Sequence, residues 1–156
     1  MPLGEFELIR RYFAACGAAR ADVLLGVGDD GAVLDPPTGQ QLVAVVDTLV
    51  EGTHFLPGSP PESPGHRALA VNLSDIAAMG ATPAWSLRAL ALPRADERWL
   101  EGFAMGYGRL ARRHGVALVG GDTTRGPLSL TVQVIGFAPA GLALRRDGAR
   151  PGDLLC

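Results

Sequence analysis

Lysine is missing from the 156-residue sequence: all fourteen basic residues are arginine. A phosphate-binding loop of the G-x-x-x-x-G-K-[ST] type needs its lysine, so P-loop chemistry is excluded. Covalent catalysis through a lysine Schiff base is excluded with it. Cysteine is scarce. Cys16 and Cys156 lie far apart and make neither a disulfide framework nor a metal motif, a usage that fits a reducing cytoplasm. No apolar run is long enough to span a bilayer. The opening stretch MPLGEFELIRRYF carries acidic residues early, which does not read as a secretory signal. A formal net charge of −2 leaves no electrostatic footprint for nucleic acid or an anionic membrane. A cytoplasmic protein without nucleic-acid or membrane partners is expected.

The composition, 47% apolar and 19% charged, is that of a soluble globular chain with a core of its own. Phe6, Ile9 and Phe13 recur at helical spacing over 5–16. LVAVVDTLV, residues 42–50, is a β-branched run that reads as a buried strand. Ser63-Pro64 predicts a helix start, with Ser63 as N-cap, and Gly80 a helix stop. That helix is apolar nearly all round and is expected buried. Residues 82–93 read as a strand. Asp96 can cap a second long helix with Trp99, Phe103, Tyr107 and Leu110 on its core face, ended by Gly115. VALVGGDTT holds a strand and a turn, and residues 128–139 a long strand; GLALRR suggests another, and DLLC the start of one more. The predicted order, α-β-β-α-β-α-β-β, implies an α/β or α+β fold with a mixed sheet and flanking helices.

GVGDDG, residues 26–31, spells the dinucleotide fingerprint G-x-G-x-x-G. That fingerprint needs a helix after the glycines, with its N-terminus facing a pyrophosphate. Pro36 and Pro37 would stop such a helix almost at once, and Asp29 and Asp30 would repel bare phosphate. Adjacent carboxylates in a turn suit Mg²⁺, which takes oxygen ligands and often bridges carboxylates and phosphates. Taken alone, Gly-Asp-Asp is more often a solvated turn. Three further aspartates shift the balance. Asp47 interrupts the most apolar strand, where a lone carboxylate is costly unless paired or bound to metal. Asp75 lies on an apolar helix, with Asn72 on the same face. Asp122 follows Gly-Gly at a strand end, a usual place for a ligand loop. A Mg²⁺–phosphate site is the better hypothesis. His54 by itself reads as structural, and Arg125, Arg145 and Arg146 as surface charge or phosphate forks.

The blocks Phe6-Glu7-Leu8-Ile9, GVGDDGAV, DTLVEGTHF, ALAVNLSDIAAMGATPAW, LVGGDTTRGPLSLTVQVIGF and DGARPGD strongly resemble the thiamine-monophosphate kinase family. The NLSDIAAMGA block is also similar to the wider superfamily of aminoimidazole ribonucleotide synthetase and selenophosphate synthetase. The resemblance implies ATP-dependent phosphorylation of thiamine monophosphate with several Mg²⁺ ions, and a homodimer whose sheet strands form a barrel. By motif match, Asp30, Asp47, Asp75 and Asp122 become metal ligands; Gly121, Asp122 and Arg146 contact ATP; His54 touches the thiamine phosphate. It also implies an N-terminal Mg/ATP-binding and dimerisation domain over 1–150, with 151–156 beginning a C-terminal domain, so that the chain alone is expected to be inactive. One departure stands out: the family's Ser/Thr pair before the strand aspartate is Val45-Val46 here, which removes any side-chain oxygen ligand. The alternatives are a sister ATP-using synthetase and a non-catalytic Mg–nucleotide-binding dimerisation module. Cys16, in Cys-Gly-Ala-Ala, does not resemble the reactive glycine-rich cysteine of a selenophosphate synthetase.

Overall fold

Amphipathic spacing sets the first element of the computed structural model, which describes residues 4–154, the Glu5 side chain excepted. Helix α1 spans Glu5–Tyr12, shorter than the predicted 5–16, and the chain turns over Phe13–Cys16 so that Phe13 enters the core. A short hairpin follows, β1 (Val23–Leu25) and β2 (Val33–Leu34). Then come β3 (Gln40–Val50), α2 (Glu62–Ala78), β4 (Thr82–Leu92), α3 (Glu97–Arg113), β5 (Ala117–Arg125) and β6 (Ser129–Pro139).

The main sheet is mixed and runs β3-β6-β4-β5. β6 pairs antiparallel with both β3 and β4, and β4 pairs parallel with β5 across α3. The helices lie on one face. Against them pack Val43 and Leu49 of β3, Leu90 and Leu92 of β4, and Leu130, Val132 and Val134 of β6. On the other face, β1 and β2 cover one end, where Trp85 and Phe137 meet edge to face at 4.9 Å between centroids. The rest of that face is bare. Leu42 is 55% and Val46 62% exposed, so β3 is not the doubly buried strand its apolar run suggested. With a single helical layer, only alternate residues can be covered.

Four local expectations need correction. α2 begins at Glu62 rather than behind a Ser63 cap, with no side-chain cap and Pro64 inside the first turn, where a missing N–H costs nothing. It is buried on one side only, through Ala68, Leu69, Asn72 and Ile76. GLALRR forms no strand: Leu144 N donates to Met79 O, and its side chain lies over Gly80 at the end of α2. Asp153 and Leu154 are not in a strand either, and Leu155 and Cys156 lie outside the described residues. Other signals hold. Asp96 Oδ1 accepts from Trp99 N at 3.1 Å, a cap worth about 1 kcal/mol. On the core face of α3, Trp99 stacks on Phe103, and Phe103 on Tyr107.

The hairpin is pinned by one carboxylate. Asp22 takes both forks of Arg20, at 2.8 and 2.6 Å, and the indole N–H of Trp85 at 3.1 Å. The third Arg20 nitrogen donates to Gly115 O. The Arg20 bonds hold the Asp22 carboxyl below its ordinary pKa, against the opposing effect of burial. A carboxyl with a lowered folded pKa contributes stability that is complete above its unfolded pKa and is lost as pH falls through the folded value. Asp22→Asn is therefore expected to cost about 1–3 kcal/mol at neutral pH. It should also flatten the acid limb of the melting-temperature profile below about pH 4. Parallel acid limbs in the two proteins would contradict this.

Candidate functional site

Two clefts share a wall built from Asp29, Asp30, Arg88, Gly120 and Gly121. The chain geometry explains why they meet there. β4 and β5 run parallel with a register shift between Ser86 and Leu87. Just beyond it β5 passes so close to β4 that a Cβ on Gly121 would lie 1.9 Å from Arg88 O, at φ +148°. Only glycine fits there, and the next residue, Asp122, is delivered to the edge of the cleft. The first cleft, about 240 Å³, is closed by Phe6, Ile9, Phe13 and Val27. The second, about 390 Å³, opens on the bare sheet face beside Val46, Leu87, Ala89, Thr131 and Gln133, and contains Asp122.

The glycine turn behaves as its prolines required: β2 follows Gly31 instead of a helix. Its two aspartates are not equivalent. Asp29 Oδ1 turns back to accept from the next amide, Asp30 N, at 2.8 Å, so its carboxylate is used within its own loop. Asp30 has no such internal bond and lines both clefts.

The structure gathers some of the expected residues and not others. Asp30, Gly121 and Asp122 share the second cleft. Asp47 pairs with Val132, which pairs with Arg88, and this row lies on the helix-covered face, half-buried at Asp47. Asp75 is exposed near the end of α2. Beside it on that helix, Asn72 is fully buried; its Nδ2 donates to Ala68 O while Oδ1 has no partner. Among the described residues no three acidic, histidine or cysteine side chains lie close enough to hold a metal by themselves. The acidic donors at the second cleft, Asp30 and Asp122, are carboxylate oxygens, the ligand type a hard divalent cation takes.

His54 stands exposed in the turn after β3. Its Nδ1 accepts from Val50 N at 3.0 Å, and Arg67 Nη1 donates to its carbonyl. With Nδ1 an acceptor, the ring proton sits on Nε2. Arg146 is exposed in the segment after β6 and lines neither cleft. Cys16 is buried, and burial pushes its thiol up to about 11, which makes it a packing residue and not a nucleophile. Arg88 was not among the expected site residues. Its signal was available: a charge inside the apolar run WSLRALALP, of the same kind that drew attention to Asp47.

Comparison with known proteins agrees with this architecture. The family model for the AIR synthase related protein, N-terminal domain, matches residues 28–138. A thiamine-monophosphate kinase of Salmonella typhimurium strain LT2 is 54% identical over 153 residues, covering 98% of this chain and 47% of the relative. The crystal structure of thiamine-monophosphate kinase from Stenotrophomonas maltophilia K279a superposes with a TM-score of 0.83 at 53% identity, over 96% of this chain and 47% of that one. A structure described as AaThiL complexed with AMPPCP and TMP superposes at 0.68 with 33% identity, over 74% and 37%. The chain thus spans about half the length of the curated relatives it matches. The family match covers most of the sequence, and the chain belongs to the AIR synthase related proteins, as an N-terminal domain of that family.

Proposed function

We propose that this chain is the Mg²⁺- and ATP-binding part of a thiamine-monophosphate kinase, with residues 1–150 as the nucleotide-binding and dimerisation domain. The observation that carries the reading is the shared cleft, where Asp30 and Asp122 meet at the glycine-enforced approach of β5 to β4. Its support from outside is the similar fold complexed with AMPPCP and TMP.

The chemistry asks little of a base. A phosphate monoester acceptor is already an oxyanion, so the protein must align two anions and offset their charge. Asp30 and Asp122 are the proposed metal ligands at the cleft, with Asp47 and Asp75 as further ligands reached from β3 and α2. Bound Mg²⁺ supplies charge neutralisation and a template for in-line transfer. Gly121, whose close approach to Arg88 only glycine allows, and Asp122 are assigned to the nucleotide phosphates, together with Arg146. His54 presents its Nε2–H to the thiamine phosphate, because Nδ1 is already used within its own turn. The Val45-Val46 pair leaves only backbone carbonyls to assist Asp47.

The bare sheet face, with Leu42 and Val46 outward, is assigned to a second copy, in keeping with a strand barrel across a dimer. Calorimetry tests the central reading. The 156-residue chain is expected to bind Mg·ATP while turning over little thiamine monophosphate alone; no binding would overturn the reading. Light scattering is expected to give a dimer, and a monomer at micromolar concentration would remove the barrel.

A further inference from the structure

Arg88 is a cation in a place where packing alone would be served by an apolar side chain. It lies on the helix-covered face of β4 and is 5% exposed. Burying a guanidinium is costly unless an opposite charge and a full set of hydrogen bonds go with it. Among the described residues no carboxylate forms an ion pair with Arg88, and its buried Nε has no hydrogen-bond partner. Burial lowers its pKa to about 10, which leaves it charged at neutral pH.

What the side chain holds is the far end of the glycine crossing. Nη1 donates to Asp122 O at 3.2 Å and to Thr123 Oγ1 at 3.1 Å. Its head group is fixed in turn: Cζ sits 3.4 Å from the centroid of the Phe13 ring, and Phe13 is itself buried. The backbone of Arg88 meets Gly121 in the close approach already described. One residue therefore bonds two successive positions of β5 through its guanidinium, Asp122 and Thr123, while its backbone lies against Gly121. It also lines both clefts beside Asp29 and Asp30.

We propose that Arg88 is a positioning residue, anchoring the Gly121–Asp122–Thr123 segment from beneath so that the Asp122 carboxylate is held at the cleft edge for a metal–nucleotide complex. This deepens the functional reading and rests on it for the role of Asp122.

Arg88→Met and Arg88→Lys in the 156-residue chain test this. Methionine keeps an unbranched apolar stem and removes the charge, and replacing a poorly paired buried charge by an apolar group is often neutral or stabilising. The expected result for R88M is an unchanged or higher melting temperature, with faster hydrogen exchange confined to the amides of Gly121–Arg125. Its affinity for Mg·ADP by calorimetry should fall about tenfold or more. R88K, which keeps the charge and one donor, should recover part of both. A lower melting temperature with faster exchange across the whole sheet would make Arg88 a packing residue and overturn the proposal. So would wild-type exchange at 121–125 in R88M. A wild-type chain that binds no Mg·ADP would overturn the functional reading instead, while the exchange measurement still decides whether Arg88 anchors the segment.

Discussion

Asp30→Asn is expected to lower the proposed Mg·ATP-dependent phosphorylation by about 100-fold or more in the full-length protein, and Asp29→Asn only a few-fold. The two residues are neighbours of the same charge in the same turn, so the difference must come from what each carboxylate does. Asp29 is bonded to its own loop through Asp30 N, a bond that an asparagine oxygen can keep. Asp30 is left for the cleft, and an amide there loses most of its hold on a hard cation. A sign reversal sharpens the test. Without divalent metal, Asp30 repels a triphosphate, so Asp30→Asn should bind ATP no worse than wild type in EDTA and much worse in excess Mg²⁺. Equal losses in both conditions would mean that Asp30 acts on the loop's shape and not on a metal. Equal, mild losses in the two variants would remove the metal assignment.

Gly106→Val is expected to cost about 3 kcal/mol or more, a melting-temperature loss of roughly 6–12 °C for a chain of this size. A Cβ at Gly106 would fall 2.1 Å from Glu62 O, and one at Gly65 2.3 Å from Phe103 O. The α2–α3 crossing is thus made by two glycines, each pressed against the other helix's backbone, which cannot give way as a side chain can. Gly108 supplies the control on the same helix. Its added Cβ would meet only the ends of Arg112 and Cys16, at 3.1 and 3.3 Å. Gly108→Ala should be near neutral, since the gain in helix propensity, about 1 kcal/mol, works for it. Thermal melts of the two variants decide the matter. A mild Gly106→Val would mean that the helices can separate without loss of the core.

The fold class was legible because its signals were local and strong. The β-branched run of β3, the Asp96 cap and the glycine stops at Gly80 and Gly115 each stand on a few residues, and each is present. Legibility failed where the answer depended on a distant partner. GLALRR has strand composition, yet it lies across the end of α2, where Leu144 N donates to Met79 O. β3 looked doubly buried because composition does not show how many layers cover a sheet. At the site, the Asp-Gly pattern and the Pro36-Pro37 stop were enough to set aside a dinucleotide fold, and β2 follows the turn. The cleft that Asp30 and Asp122 both line, and the Arg88 strut beside it, arise from a strand register that no short motif encodes. The buried charge in WSLRALALP was readable by the argument applied to Asp47, since a lone charge in an apolar strand has to be explained.

β6 is the last strand among the described residues and an inner strand of the main sheet, bonded along its length to β3 on one side and β4 on the other. During synthesis β3 has no partner, and β4 only β5, until Ser129–Pro139 has left the ribosome. Val50 waits for Ser129 and Gln40 for Pro139, so the closing contacts span much of the chain and the folding step is slow by topology. Until then α2 and α3 can associate, but β3 offers an unpaired apolar edge to whatever it meets. The nascent chain is thus most exposed to aggregation in the interval just before β6 emerges, which is where a chaperone would be needed.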